Sequence, residues 1–512
     1  MKTYNIIKGI FAATVLSVVF SGCSEDAMDR INKDHGHTQS VAGRFILTDV
    51  ITSTAFSNAG GDFNTYLSAY IEYEVGVDNQ LYYAETRESE PTSSSTFNNT
   101  WNGLYSTLKS ARIIINQCSE GGIDYGNFAT KGMAEVLAAY NCALIADMFG
   151  DAPCSQAALV DENGSPVYLT PKMDKQEEIY TQAMQYLDLQ KEDLIDPGAQ
   201  DLLYQGDAEK WLKLAYGLKA RYTMHLLKRS ANKDADMEKV LEYVDNSFES
   251  AEEQAAFDVY DANNINPLYG FFVARAGLGA SESMRSKLAE YNDPRLSRAF
   301  ITKQGASGKE QAPGTADNAV YAPNGSPEQG TSKYGTSLFM YSISAPTLLL
   351  SYHELKFLEA EALCRLGRDA KSALKDAVVA GLLNAENSFS VSRKELGKTL
   401  INPASSITDT EAESYFDNTV EAKYTAEPLK TTMIQKYFAL WGASGEATES
   451  YNDVRRMKGL GENFIELKNP NSFPLRCPYG NSDTTTNAEV KAAYGNGQYV
   501  YSENVWWAGG SR

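Results

Sequence analysis

The sequence predicts an all-α fold in which helical hairpins pack against an irregular, loop-rich part. Three observations carry this. Apolar residues recur at three- and four-residue steps over long windows, as in Trp101, Leu104, Tyr105, Leu108, Ala111 and Ile115, then Met133, Val136, Leu137, Tyr140, Leu144 and Met148. Glycine and proline close these windows: Gly121, Gly122 and Gly126 join the two helices, and Gly150 with Pro153 ends the second. Two stretches, mainly 76–99 and 256–340, break the periodicity with Gly, Ser, Asn and Pro punctuated by aromatics. One hairpin cannot bury its apolar face alone, so the 101–157 pair needs neighbours.

The first 22 residues read as an export signal. Lys2 and Lys8 flank the start of a short apolar run, Ile10 to Phe20, and Ser21-Gly22-Cys23 follows. The run is too short to remain as a membrane span. Small residues before a cysteine resemble a lipoprotein cleavage box. That implies diacylation of Cys23 and anchoring by acyl chains. Ser24-Glu25-Asp26 resembles the acidic signal that sends lipoproteins to the outer face of the outer membrane. Residues 23–40 read as a lipidated tether. His35 and His37 lie there without partner ligands, which argues against a metal site.

Residues 41–512 read as one domain, its scaffold mainly in 45–255 and 346–443. Helical patterns cover Phe45 to Ala55 and Phe63 to Glu74. Residues 76–99 read as a long loop in which Tyr82 and Tyr83 have no helical partners. After the 101–157 hairpin, Asp161 to Ser165 faintly resembles a calcium loop, but Pro166 and Lys172 occupy the required glycine and glutamate positions. Helices follow at 175–194, along Trp211, Leu214, Leu218, Tyr222 and Leu226, and at 235–255. Residues 256–340 read as irregular, with one short helix turning at Asp293-Pro294-Arg295. Helical order returns at Pro346 as a hairpin, with a further pair across 411–443. The tail, 444–512, reads mostly as loop.

Composition limits the function. The chain has 512 residues and a formal charge of −20, with no basic patch, which excludes nucleic acid as a natural partner. Beyond Cys23 five cysteines remain, too few by one for a paired framework and without zinc spacing, so they read as small buried hydrophobes. There is no G-x-S-x-G, P-loop, dinucleotide fingerprint or H-E-x-x-H, so nothing argues for catalysis, a cofactor or a metal. Aromatics on loops over a rigid scaffold suit carbohydrate. A pyranose C–H face stacked on a ring removes on the order of 50–100 Å² from water, about 1–2.5 kcal/mol.

Seven short segments then take on a joint meaning: W-N-G-L-Y (101–105) with A-D-M-F-G-D-A-P (146–153), N-D-P-R (292–295), A-E-A-L-C-R-L-G (360–367), Q-K-Y-F-A-L (435–440), Y-N-D-V-R-R (451–456) and V-W-W (505–507). With the lipoprotein box they resemble the SusD/RagB family of nutrient-binding outer-membrane lipoproteins, in order and over nearly the whole chain. The resemblance implies a non-enzymatic, cell-surface, lipid-anchored protein. It would capture oligosaccharides and pass them to a SusC-like, TonB-dependent transporter through tetratricopeptide-like hairpins. Ile31 to Gly36 departs from the N-x-N-P-N-like segment of such tethers.

Ligand residues do not transfer by motif. Position and chemistry nominate Tyr82 and Tyr83 from the first irregular stretch, and Tyr269, Phe271, Phe272 and Tyr334 from the second. Arg275 is the candidate hydroxyl donor. Trp101, Tyr105 and Tyr140 keep helical spacing and belong to the core. Peptide cargo within the same family is the alternative. A helical glycan hydrolase or lyase, and a protein-binding adaptor, are the readings from other classes.

Overall fold

The structure, a computed structural model, describes residues 41–161, 164–189, 198–304, 309–311, 320–400, 403–442 and 444–512. The lipoprotein box, Cys23 and the tether with His35 and His37 lie outside them. Gly43–Arg512 is one compact unit, mainly helical, with only short strands.

Helices Phe97–Cys118 and Phe128–Phe149 form the expected hairpin. Trp101 is fully buried, edge-on to Phe149 at 4.8 Å and to Tyr479 at 5.8 Å. Its indole N–H donates to Asp483 at 2.6 Å, and Tyr140 is also buried. Gly480 has to be glycine, because a Cβ there would lie 2.4 Å from the Trp101 ring. Half-buried Tyr105 donates to the carbonyl of Pro153. Helix Phe128–Phe149 is the one described helix long and apolar enough to cross a membrane, but 89% of its apolar window is buried in the core.

The remaining scaffold helices stack although they are scattered in sequence. Phe128–Phe149 packs on Gln176–Tyr186 and on Ala208–His225. Ala208–His225 pairs with Lys233–Asp245, and that helix packs on Tyr352–Arg365. Tyr352–Arg365 pairs with Lys371–Leu396 and also meets Pro428–Ala439. Each hairpin thus covers the apolar face that its predecessor leaves open.

Three expectations are corrected. Residues Thr347–Leu350 form a buried strand against Ala255–Phe257, so helix begins only at Tyr352. A run of four apolar residues reads equally well as buried strand or buried helix. The tail contains helix Ala447–Leu460 and two short helices, Asn481–Thr486 and Ala488–Tyr494. Ala447–Leu460 was invisible to hydropathy because the side chains it buries include Glu449, Asn452, Asp453, Arg455 and Arg456. Helices Asn79–Thr86 and Pro267–Arg275 stand where loop was expected.

Several buried charges of this scaffold are paired. Arg456 meets both oxygens of Glu361 at 2.5 and 2.8 Å and Asp453 at 2.7 Å. Lys436 meets Asp453 at 2.8 Å, and Arg221 holds Glu354 through two bonds. His225 stands between Glu449, 2.8 Å from Nε2, and Asp147, 3.5 Å from Nδ1. Burial opposes its charge, but Glu449 and Asp147 prevail and push it up to about 9. Asp147, His225 and Glu449 are a metal-type donor set. Yet Nε2 meets Glu449 while Nδ1 meets the Tyr180 hydroxyl at 2.9 Å, and that hydroxyl donates to Asp147, so the imidazolium itself is the cation between the two carboxylates. Arg295 pairs with Asp293 and donates to the carbonyl of Phe438. Trp507 stacks on His225 at 5.7 Å.

Candidate functional site

The two irregular stretches are joined by a short antiparallel ladder. Glu74–Gly76 pairs with Leu278–Ala280 in the register Glu74↔Ala280, Val75↔Gly279 and Gly76↔Leu278. Val77 N–H extends it to the carbonyl of Gly277. The ladder brings the start of helix Asn79–Thr86 beside the end of helix Pro267–Arg275. The N–H of Gly330 donates to the Val77 carbonyl, so the 320–335 segment joins the same place.

Helix Asn79–Thr86 is two turns long. Leu81 and Glu85, four apart, face inward, and Arg87 closes it with a left-handed backbone at φ 52°. Eight residues are too few to show helical periodicity, which is why this segment reads as loop. Gly76 is required, since a Cβ would lie 1.9 Å from the Leu81 carbonyl oxygen. Tyr83 is 60% exposed, and half-buried Tyr82 meets its ring edge-on at 5.7 Å. Pro267 opens the second helix and the Asn266 side chain caps it, accepting from Leu268 and Tyr269 N–H. Leu268 and Phe272 point into the core. Phe271 and Arg275 share another face, the guanidinium lying 5.6 Å from the ring centre.

The seven nominated residues therefore divide. Tyr82, Tyr83, Phe271 and Arg275 are accessible on segments that the ladder joins. Tyr269 is half-buried and donates to Glu395 at 2.8 Å; burial and that carboxylate push it up to about 12. Phe272 is 3% exposed and packs edge-on against Tyr341 at 5.4 Å. Tyr334 is buried with Val75, Val77 and Ala322, its hydroxyl accepting from Glu328 N–H. Phe272 and Tyr334 are buried and do not present a ring at the surface. An aromatic in a Gly- and Asn-rich run has no periodic partner to show which way it points.

Sequence reading missed the polar part of this face. Tyr66 donates to Gln80 at 2.9 Å, and Asp62 accepts from Thr96 at 2.7 Å and from Asn99 at 3.4 Å. Gln80 is exposed and lies one turn before Tyr83. Burial and Asp62 push Tyr66 up to about 12, while Thr96 and Arg275 act in the opposite sense. Arg275, far away in sequence, thus shares an electrostatic environment with the start of the domain. Amides, hydroxyls and a carboxylate beside aromatic rings can bind a ligand whose surface alternates apolar and hydroxylated patches. No acid–base or nucleophilic constellation accompanies them among the described residues of this face.

The structure thus pairs a helical stack with an accessible aromatic and polar face. Comparison with known proteins makes its class specific. The sequence profile of the SusD-like family, described as starch-binding and associating with the outer membrane, matches residues 36–479. The chain belongs to the SusD/RagB family. It is 68% identical to a SusD/RagB family protein of Bacteroides thetaiotaomicron whose crystal structure superposes with a TM-score of 0.88, covering 92% of this chain and 100% of that one. A chitin-binding protein (21% identity, TM-score 0.68, 91% and 99% covered) and a SusD homologue of Bacteroides fragilis (16%, 0.70, 92% and 100%) share the fold. Among curated proteins none matches. The segments that carried the resemblance in sequence are scaffold parts: Asp147, Asp293, Arg295, Glu361, Lys436, Asp453, Arg456 and Trp507 are all buried.

Proposed function

We propose that this chain is a cell-surface oligosaccharide-binding lipoprotein. In this reading Cys23 carries the acyl anchor in the outer membrane, and a SusC-like TonB-dependent transporter receives the cargo. The observation that supports it best is the convergence of Tyr82, Tyr83, Phe271 and Arg275 on one ladder beside the Asp62–Tyr66–Gln80 group. Rings offer stacking platforms, and the amides and guanidinium offer hydrogen bonds to hydroxyls. Two or three platforms give roughly millimolar to micromolar affinity, which suits a protein that must release what it captures.

Calorimetric titration of the protein against a panel of oligosaccharides tests the reading. Binding in that range, weakened when Tyr83 is replaced by Ala, is expected; no binding to any glycan overturns it. The anchor is tested separately. Cys23→Ala should move the protein from the membrane fraction to the soluble one. Co-purification with the transporter from detergent extracts tests the partnership.

A further inference from the structure

At the other end of helix Asn79–Thr86 lies a cavity of about 430 Å³ whose wall includes Arg87, Lys458, Glu466, Asn469, Asn471 and Phe473. Arg87 is 6% exposed. Its Nη2 donates to the Tyr70 carbonyl at 3.2 Å and its Nη1 only weakly to the Ser472 carbonyl at 3.5 Å. Its Nε is buried with no hydrogen-bond partner. The guanidinium lies 5.7 Å from the Tyr70 ring and 5.9 Å from that of Phe473, and Lys458 Nζ lies 5.3 Å from the same Phe473 ring. Neither cation meets a carboxylate at ion-pair distance among the described residues.

Arg112 and Arg455 are also buried without a carboxylate at ion-pair distance among the described residues, but each donates to two backbone carbonyls and to a side-chain amide. Arg87 differs in lining a cavity beside a second cation. A buried charge is normally paired, because desolvation is otherwise uncompensated. Two cations gathered on one ring also repel each other. Two asparagines of the wall are already committed. Asn469 donates to the Glu85 carbonyl and carboxylate, and Asn471 donates to the carbonyls of Thr86 and Gly325. Burial pushes the Glu85 carboxyl up to about 7, despite Arg87 and the Gly325 N–H that it accepts. The Glu466 carboxylate also belongs to this wall, and it acts electrostatically on Lys287. The cavity therefore holds two cations with unspent hydrogen-bonding capacity.

We infer that this cavity is an anion-recognising subsite that takes the carboxylate of a uronic acid residue in an acidic oligosaccharide. The inference rests on the oligosaccharide reading above and adds the charge of the sugar to it. A guanidinium fork matches a planar carboxylate, and the Phe473 ring lies within reach of the apolar face of a pyranose seated there. Arg87 caps the helix that carries Tyr82 and Tyr83, so one short element serves both the aromatic platform and the charged pocket.

The test is calorimetry on the full-length protein with a panel of oligouronates, each paired with its carboxyl-reduced, neutral form. The acid is expected to bind at least about tenfold more tightly than its neutral form, with the preference shrinking as salt rises. Lys458→Met, at an exposed position, should cost the acid about three- to tenfold and leave the neutral form unchanged. Arg87→Gln should erase the preference; its melting temperature is checked first, and if it fails to fold the Lys458 variant decides. Equal affinity for acid and neutral forms overturns the subsite while leaving the oligosaccharide reading intact. No binding to any glycan, acidic or neutral, overturns both. Lys458-dependent binding of short peptides, with none of oligouronates, overturns the uronate assignment and gives the pocket to a peptide carboxylate.

Discussion

In the scaffold, Arg456, Arg221 and Lys436 each end on a carboxylate, and the imidazole of His225 ends on two. On the proposed face and in the proposed cavity, Arg275 leans on Phe271, and Arg87 on Tyr70 and Phe473, without a carboxylate at ion-pair distance among the described residues. The ion-paired cations of the scaffold are thus closed, whereas Arg275 and Arg87, like scaffold Arg112 and Arg455, meet no carboxylate among the described residues, and of these Arg87 lines a cavity. Closed pairs tie distant parts of the chain together: Arg456 joins helix Ala447–Leu460 to helix Tyr352–Arg365, and His225 joins three helices. Their contribution is directional, since a wrong register would strand a buried charge. Arg87 also joins segments through the Tyr70 and Ser472 carbonyls, but it keeps an unpartnered Nε.

Substitutions can break this contrast, and the scaffold should show the largest effects. Trp101→Ala should cost about 3–5 kcal/mol of stability, as a buried indole and its bond to Asp483 are lost. Arg456→Met should cost about 2–4 kcal/mol by removing the buried cation that bridges Glu361 and Asp453, leaving each with one cation, Arg365 and Lys436. Denaturant unfolding measures both. A stable Trp101→Ala protein that only lost ligand would show that scaffold and face are reversed.

Next comes a pH effect. His225 is raised above its unfolded value of about 6.5 to about 9. Its stabilisation is therefore complete below about pH 6.5 and is lost as pH rises through about 9. The stability gap between wild type and His225→Gln should be on the order of 3 kcal/mol at about pH 6 and should shrink toward about pH 9. A gap that does not change with pH would remove the imidazolium from the account.

The face should respond in binding and hardly in stability. Tyr83→Ala should weaken the best oligosaccharide by about 1–2.5 kcal/mol while shifting stability by less than ~0.5 kcal/mol. The smallest effect belongs to a buried ring. Tyr334→Phe removes the bond to Glu328 N–H and should cost about 0.5–1.5 kcal/mol, with ligand affinity little changed. If Tyr334→Phe weakened binding as much as Tyr83→Ala, the division between buried ring and platform would fall.

The scaffold was legible where burial is apolar. The pair around Trp101 and Tyr140, and the helices along Trp211 and Leu358, show their inward faces in the spacing of large side chains. Legibility failed in two physical situations. Helix Ala447–Leu460 buries charged residues in ion pairs, so a pattern built on hydropathy describes it as surface. Helices Asn79–Thr86 and Pro267–Arg275 are shorter than the window that periodicity needs. On the face, the aromatic content was visible but the direction of each ring was not. Tyr83 and Tyr334 sit in similar company in sequence, yet one is exposed and the other is shut beneath Val77 and Ala322. The polar group of Asp62, Tyr66 and Gln80 depends on tertiary contacts that no local pattern encodes.

The ladder between Glu74–Gly76 and Leu278–Ala280 has one more consequence. Its bonds run between backbone groups, which are the same whatever the side chains are. Its steric demand is concentrated at Gly76, pressed against the Leu81 carbonyl, and at Gly279, where a Cβ would lie 3.0 Å from Val77. Everything displayed beyond the joint can therefore mutate without reopening the question of where it is held. Exposed side chains on the two segments, such as Tyr83 and Arg275, can be replaced while the backbone joint between them stays the same.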